Sequence, residues 1–146
     1  MYGLILFMHL LAAAVWTGGH LALALVVLPR ALRQRSPQVL LDFEQGYERL
    51  GMPALLVQVL TGLAMAHQLV PDVARWLAPD SGLERAVALK LALLALTVLV
   101  AAHARLRVIP RLSPATLPLL AWHVAAVTLL AVALVAAGVL FRFGGL

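Results

Sequence analysis

Five histidines and one lysine set within or beside long apolar runs are the residues of this chain best equipped for chemistry. His9, His20, His67, His103 and His123 offer imidazole nitrogens, and Lys90 an amine. Imidazole ligates haem iron and copper, whereas an amine ligates iron only in its neutral form. Hydrocarbon offers a polar side chain no partner, so ionisable groups inside apolar spans are functional by default. The richest stretch is His9 to Arg30, HLLAAAVWTGGHLALALVVLPR. At about 100° per residue, Trp16 and His20 fall within roughly 20° of His9 on one helical face, with the two imidazoles about 16 Å apart along the axis.

Those residues need elements to hold them, and composition says which. The chain has 146 residues, is 64% hydrophobic and 12% charged, and has a mean hydropathy of +1.01. Soluble domains are nearer half apolar and a quarter charged, so this is an integral membrane protein in contact with the lipid bilayer. The formal charge of +5 does not imply a nucleic-acid partner. Its arginines stand beside apolar spans, where they set topology. The absence of cysteine excludes disulfides, thiolate metal sites and covalent haem attachment. No basic segment precedes the first apolar run, so that run is read as a retained span.

Four segments, approximately 3–28, 52–70, 83–106 and 117–141, reach the roughly 20 residues a bilayer requires. Pro29, Pro71 and Pro110 fall just past the first three and are expected to end them. Residues 29–51 read as a connection with a short amphipathic pattern (Val39, Leu40, Phe43, Tyr47) at the interface or as a surface linker. Trp76 is an interfacial anchor in the second loop. Arg30, Arg33, Arg35 and Arg49 in the first loop, and Arg105, Arg107 and Arg111 in the third, outweigh Arg75 and Arg85 in the second. The positive-inside rule then places both termini on the outer side. The expected fold is all-α: one integral membrane four-helix bundle over residues 1–146, in a bacterial inner (plasma) membrane.

Depth and facing sort the polar residues. His9, Lys90, His67 and Met65 lie towards the outer side; His20, His123, His103 and Gln58 lie towards the inner side. On the second span Gln58, Thr61, Gly62 and Met65 share a stripe that His67 points away from. On the third, Ala86, Lys90, Thr97, Ala101 and Ala104 form a small and polar stripe. His103 sits instead with Leu89, Leu96 and Leu99 on a lipid-facing side. On the fourth, His123 aligns with Ala126, Leu130 and Ala137. Small residues mark close helix approach, so these stripes are expected to face inward. His9 then pairs with Lys90 in an outer layer and His20 with His123 in an inner one. His67 and His103 rank lower as ligands.

Inward imidazoles on facing helices are how bundles build haem sites. Two layers suit one or two b-type haems, with Trp16, Gly19, Gly62 and Met65 lining the pockets. Copper is the competing metal, since histidine with Met65 and Met8 suits it. Inward-facing acids are absent from all four spans, which argues against carboxylate hydrolysis or proton transport.

The segments His9–x6–Trp16–x–Gly18–Gly19, Leu28–Pro29–Arg30 and ERAVALKLALLALTVLVAAHARLRVIPRL resemble the copper-resistance D (CopD) membrane domain. There an inward lysine, Lys90 here, precedes an alanine-rich run and a basic Pro-Arg exit. His103 stands where that pattern has a small polar residue. A more distant resemblance, to the HemJ-type four-helix protoporphyrinogen oxidases, implies His9 and Lys90 as ligands of a b-type haem. The acidic motif of that family before the last helix is replaced here by SPATLP. The principal expectation is a haem b protein in electron transfer or membrane redox chemistry, an oxidoreductase with a redox partner or quinone. The alternatives are a copper-binding or copper-import protein, and a non-catalytic assembly subunit whose histidines merely join helices; in any of these the exposed His103 face leaves room for a partner, a homo-oligomer among them.

Overall fold

In the computed structural model, which describes residues 1–143, the described residues form helices joined by turns, with no strand among them. Helix α1 (Tyr2–Ala22) passes through a π-helical turn (Leu23–Val27) into α2 (Leu28–Gln34). Helix α3 spans Pro37–Leu69, α4 Gly82–His103 and α5 Leu117–Arg142. Four helical stretches, Tyr2–Gln34, Pro37–Leu69, Gly82–Arg111 and Leu117–Arg142, are long and apolar enough to cross a membrane.

Pro71 follows the end of α3 at Leu69, as expected, and the third helical stretch ends at Arg111, one residue after Pro110, whereas Pro29 does not stop its helix. Pro29 and Pro110 are each preceded by a π-helical turn, Leu23–Val27 and Ala104–Val108. In these turns Leu28 N–H bonds the Leu23 carbonyl and Ile109 N–H the Ala104 carbonyl. The wider turn makes room for a ring that would otherwise strike the preceding turn of backbone. The real stop in the first hairpin is Arg35, in the left-handed region (φ 49°, ψ 34°). There Ser36 N–H reaches the Ala31 carbonyl and Arg35 N–H the Leu32 carbonyl, the pairing of a Schellman closure.

The expected 29–51 connection is also helical. Helix α3 begins at Pro37 and runs for 33 residues. That is about 50 Å, well beyond the roughly 30 Å of a hydrocarbon core. Its polar start is held by packing: Leu40 is buried with Leu28, Ala31, Val108 and Leu117. Helix α4 starts at a capping box, with Ser81 Oγ accepting from Glu84 N–H and the Glu84 carboxylate accepting from Ser81 N–H. Before it, a 3-10 turn (Val73–Trp76) places Trp76 to donate to the Val70 carbonyl at 2.9 Å.

Helix α1 packs along α3, α4 packs along α5, and α1 also meets α5. The α3 and α4 helices are linked by Arg105, which donates to Glu44 at 2.5 Å and Glu48 at 2.8 Å. The most enclosed helix is α5, which buries Leu117, Leu120, Val124, Val127, Thr128, Ala131 and Ala137. Phe7, Leu25, Leu60, Leu99, Trp122 and Leu129 are exposed on the perimeter, as lipid-facing residues are.

Tyr47 is the tightest fit between α1 and α3. Its ring fills the space left by Gly19 on α1 and Gly51 on its own helix. Its hydroxyl donates to the Val15 carbonyl at 2.8 Å. A Cβ on Gly19 would overlap that ring, whereas one on Gly18 meets nothing within 4 Å. Gly19→Ala is therefore expected to destabilise the bundle by about 1–3 kcal/mol, the usual penalty of overpacking. Thermal unfolding in detergent checks this, with Gly18→Ala expected to match the parent chain.

Candidate functional site

His9 is fixed by the next helix rather than by Lys90. Its Nδ1 lies 3.0 Å from the Gln58 carbonyl and 3.0 Å from Thr61 Oγ1. Thr61 donates its own proton to the Val57 carbonyl at 2.6 Å, so its oxygen is free to accept from His9. The ring rests over Gly62, where a Cβ would stand 3.1 Å from His9 Cε1. The stripe Gln58, Thr61, Gly62 does face α1, as its spacing implied, and Met65 is half-buried one turn further on. Lys90 extends towards α5, where Gly138 makes room: a Cβ there would be 3.3 Å from Nζ. Among the described residues no hydrogen bond joins His9 and Lys90.

His20 also turns towards α3. Its Nδ1 donates to the Trp16 carbonyl at 2.9 Å, its ring lies 4.3 Å from that of Trp16, and Tyr47 meets it edge-on at 6.3 Å. Thr128 of α5 shares its one hydroxyl proton between the Val124 carbonyl at 2.7 Å and the His20 carbonyl at 3.2 Å, and this backbone contact is how α5 reaches the residue. The sequence reading placed Tyr47 only in an interfacial amphipathic pattern, not beside a histidine. Its signal was the spacing of Phe43, Tyr47 and Gly51 on one helical face opposite the Gly18–Gly19 pair.

His123 was expected to meet His20 in an inner layer. It meets His103 instead: Nδ1 of His103 and Nε2 of His123 are 2.8 Å apart, with the ring planes 13° from parallel. The buried stripe of α5 runs through Leu120, Val124 and Val127, and this turns His123 aside to the exposed edge shared with α4. His103 lies on the lipid-facing side, as its company of Leu96 and Leu99 predicted. His67 is exposed near the end of α3.

Three of the five imidazoles thus donate Nδ1–H to a backbone carbonyl: His9 to Gln58, His20 to Trp16 and His123 to Leu119 at 2.8 Å. A carbonyl can only accept, so Nδ1 carries the proton and the Nε2 lone pair is left for another partner. This is the usual way a protein orients a metal-binding histidine. Among the described residues no three His, Cys, Asp or Glu side chains gather into a metal-binding group. The donors therefore occur singly or in a pair.

The space expected for a haem is otherwise occupied. The gap at Gly19 holds the Tyr47 ring, that at Gly62 holds His9, and that at Gly138 holds Lys90. A macrocycle between His9 and Lys90, or between His20 and His123, would have to displace the side chains expected to bind or flank it. These residues, as packed, do not form a haem cradle.

Compared with known families, residues 41–141 match the one described as copper resistance protein D (CopD). No curated protein and no solved structure matches the chain. The matched region covers α3 to α5 and excludes α1, so the family assignment stands without the first-helix motif that carries His9.

The hydrogen bonds make a direct spectroscopic prediction. Nitrogen-15 spectra of the histidine-labelled chain at neutral pH are expected to show His9, His20 and His123 as Nδ1-protonated tautomers. Thr61→Val is expected to shift the His9 resonances alone.

Proposed function

The chain belongs to the copper resistance protein D family, and on that premise we propose that it is a copper-handling, multi-pass protein of the bacterial inner membrane that admits copper ions. The family match over residues 41–141 is the observation that carries this reading. The donor chemistry supports it. Imidazole nitrogen and thioether sulfur suit copper, and the chain has histidine and methionine but no cysteine. The copper ion is cargo here, so each site needs to bind it without retaining it.

His9 is the proposed acceptor at the end of the bundle that holds both termini. Gln58 and Thr61 fix its ring and leave Nε2 as the donor atom, while Met65 lies on the same face of α3, one turn nearer that end. The positive-inside rule puts the opposite, arginine-rich end in the cytoplasm, so His9 would receive copper from the outer side. Lys90, turned to Gly138, weakens the hold on a nearby cation whenever its amine is protonated. Lys90→Ala is accordingly expected to tighten copper binding at His9. A haem-based redox role is not proposed, because the gaps it needs are filled by Tyr47, His9 and Lys90.

The test is copper(I) binding to the purified full-length chain under reducing conditions, alongside copper content of cells that express it. The parent chain is expected to bind copper and raise cellular copper. His9→Ala is expected to weaken binding about tenfold or more, since loss of even an outer-shell partner typically costs 10–100-fold. A chain that retains no copper above a buffer blank and leaves cellular copper unchanged would sink the reading.

A further inference from the structure

The His103–His123 pair is unused by the site at His9 and has a geometry of its own. His103 projects from the last turn of α4 and His123 from the second turn of α5, at the arginine-rich end of the bundle. The Nδ1–H of His123 is committed to the Leu119 carbonyl, so its Nε2 presents a lone pair. That lone pair accepts the Nδ1 proton of His103 at 2.8 Å. Two ring nitrogens therefore converge on one point, with a proton between them. If His103 carries its proton on Nε2 instead, both converging nitrogens offer lone pairs to the same point. That change of tautomer alters no net charge and releases no proton.

The surroundings decide what cation could take the proton's place. No acidic residue follows Glu84 in the chain. Glu44 and Glu48, the carboxylates that reach this end from α3, are engaged by Arg105. Arg105 and Arg107 lie within four residues of His103 and add positive charge. The ligands are neutral, no third His or acid joins them among the described residues, and the local field opposes high charge. A divalent ion that wants four ligands, as zinc does, is poorly served. A soft monovalent ion content with two nitrogens in line is well served. With metal–nitrogen bonds of about 2 Å the two nitrogens would stand about 4 Å apart. The rings must therefore part by about 1.2 Å from their hydrogen-bonded separation. Both lie at the exposed edge of the bundle, so no close-packed core resists that movement.

We propose that His103 and His123 form a two-coordinate imidazole site for a soft monovalent cation, copper(I), at the arginine-rich end of the bundle. The identity of the ion rests on the copper-handling reading; the site itself rests on the geometry of the pair. It lies at the opposite end of the bundle from His9 and so provides a second position on the path of the cargo.

The experiment titrates the purified full-length chain with copper(I), and separately with silver(I) as a redox-inert probe, against a chromophoric chelator. The variants are His103→Ala, His123→Ala, the double variant, His9→Ala, and His67→Ala as an exposed-histidine control. One class of binding is expected to weaken about tenfold or more in either single variant, and the double variant is expected to be no worse than the singles, because one site is removed once. His9→Ala and His67→Ala are expected to keep that class. X-ray absorption of the His9→Ala chain loaded with one copper(I) is expected to show two nitrogen neighbours. Full stoichiometry and affinity in both single variants would overturn the proposal. Binding lost only in His9→Ala would overturn it while leaving the copper reading standing. No binding of either ion by any chain would remove both.

Discussion

A polar group inside a membrane must find its partner within the protein, and that constraint shapes the polar sites of this bundle, with the buried Gln58 Oε1, which has no partner, as an exception. The cheapest partner is a carbonyl one turn back on the same helix. Thr61, Thr97 and Thr128 each donate to the residue four positions earlier, at 2.6–2.7 Å. His20 and His123 do the same through Nδ1. His9, near the start of α1, reaches across to the Gln58 carbonyl instead. The consequence for the histidines is chemical. The demand for satisfaction fixes the tautomer, and the tautomer leaves a lone pair on Nε2, which in His123 accepts from His103.

The same economy governs how the helices fit. Where α1 and α3 approach most closely, glycine on one helix meets a ring from the other: Gly19 with Tyr47, and Gly62 with His9. Small residues at a membrane helix interface let backbones approach, but here each gap is filled by a polar aromatic side chain. Tyr47 does two jobs in this arrangement. It seals the gap beside His20 and, through its hydroxyl, satisfies the Val15 carbonyl. The long polar start of α3 exists to carry it.

Much of this was legible in the sequence, and the part that was not has physical reasons. Four apolar runs gave four spans. The spacing of Ala86, Thr97 and Ala104 identified the buried side of α4, and that of Leu96 and Leu99 its exposed side. The end of the first helical stretch was misread because Pro29 was taken as a stop, as Pro71 rightly was. Pro29 and Pro110 follow π-helical turns, which a pattern of residue types does not announce. Residues 37–51 looked like an interfacial connection because their local composition is polar, whereas Leu40 is held by contacts from α2 and α5 and from the π turn after α4. The facing of His123 was missed for a related reason. Small residues one turn along suggested an inward position, but the large apolar residues Leu117, Leu120 and Val124 claimed that side. A helix buries its bulk first, and a histidine beside that stripe is turned to the edge.

That displacement leaves the imidazoles spread along the bundle rather than gathered about one centre. A haem or a tightly held metal asks for full coordination and an enclosed cavity. Among the described residues this bundle offers single or paired imidazoles, and the carboxylates of Glu44 and Glu48 at the arginine-rich end are engaged by Arg105. His9 near one end and the His103–His123 pair near the other are separated by the packed layer of Trp16, Val127 and Ala131. His20 stands beside that layer, its ring 4.3 Å from that of Trp16. Its Nδ1 donates to the Trp16 carbonyl, which makes Nε2 the nitrogen with the lone pair. Trp16 thus both packs in the layer and orients the imidazole next to it.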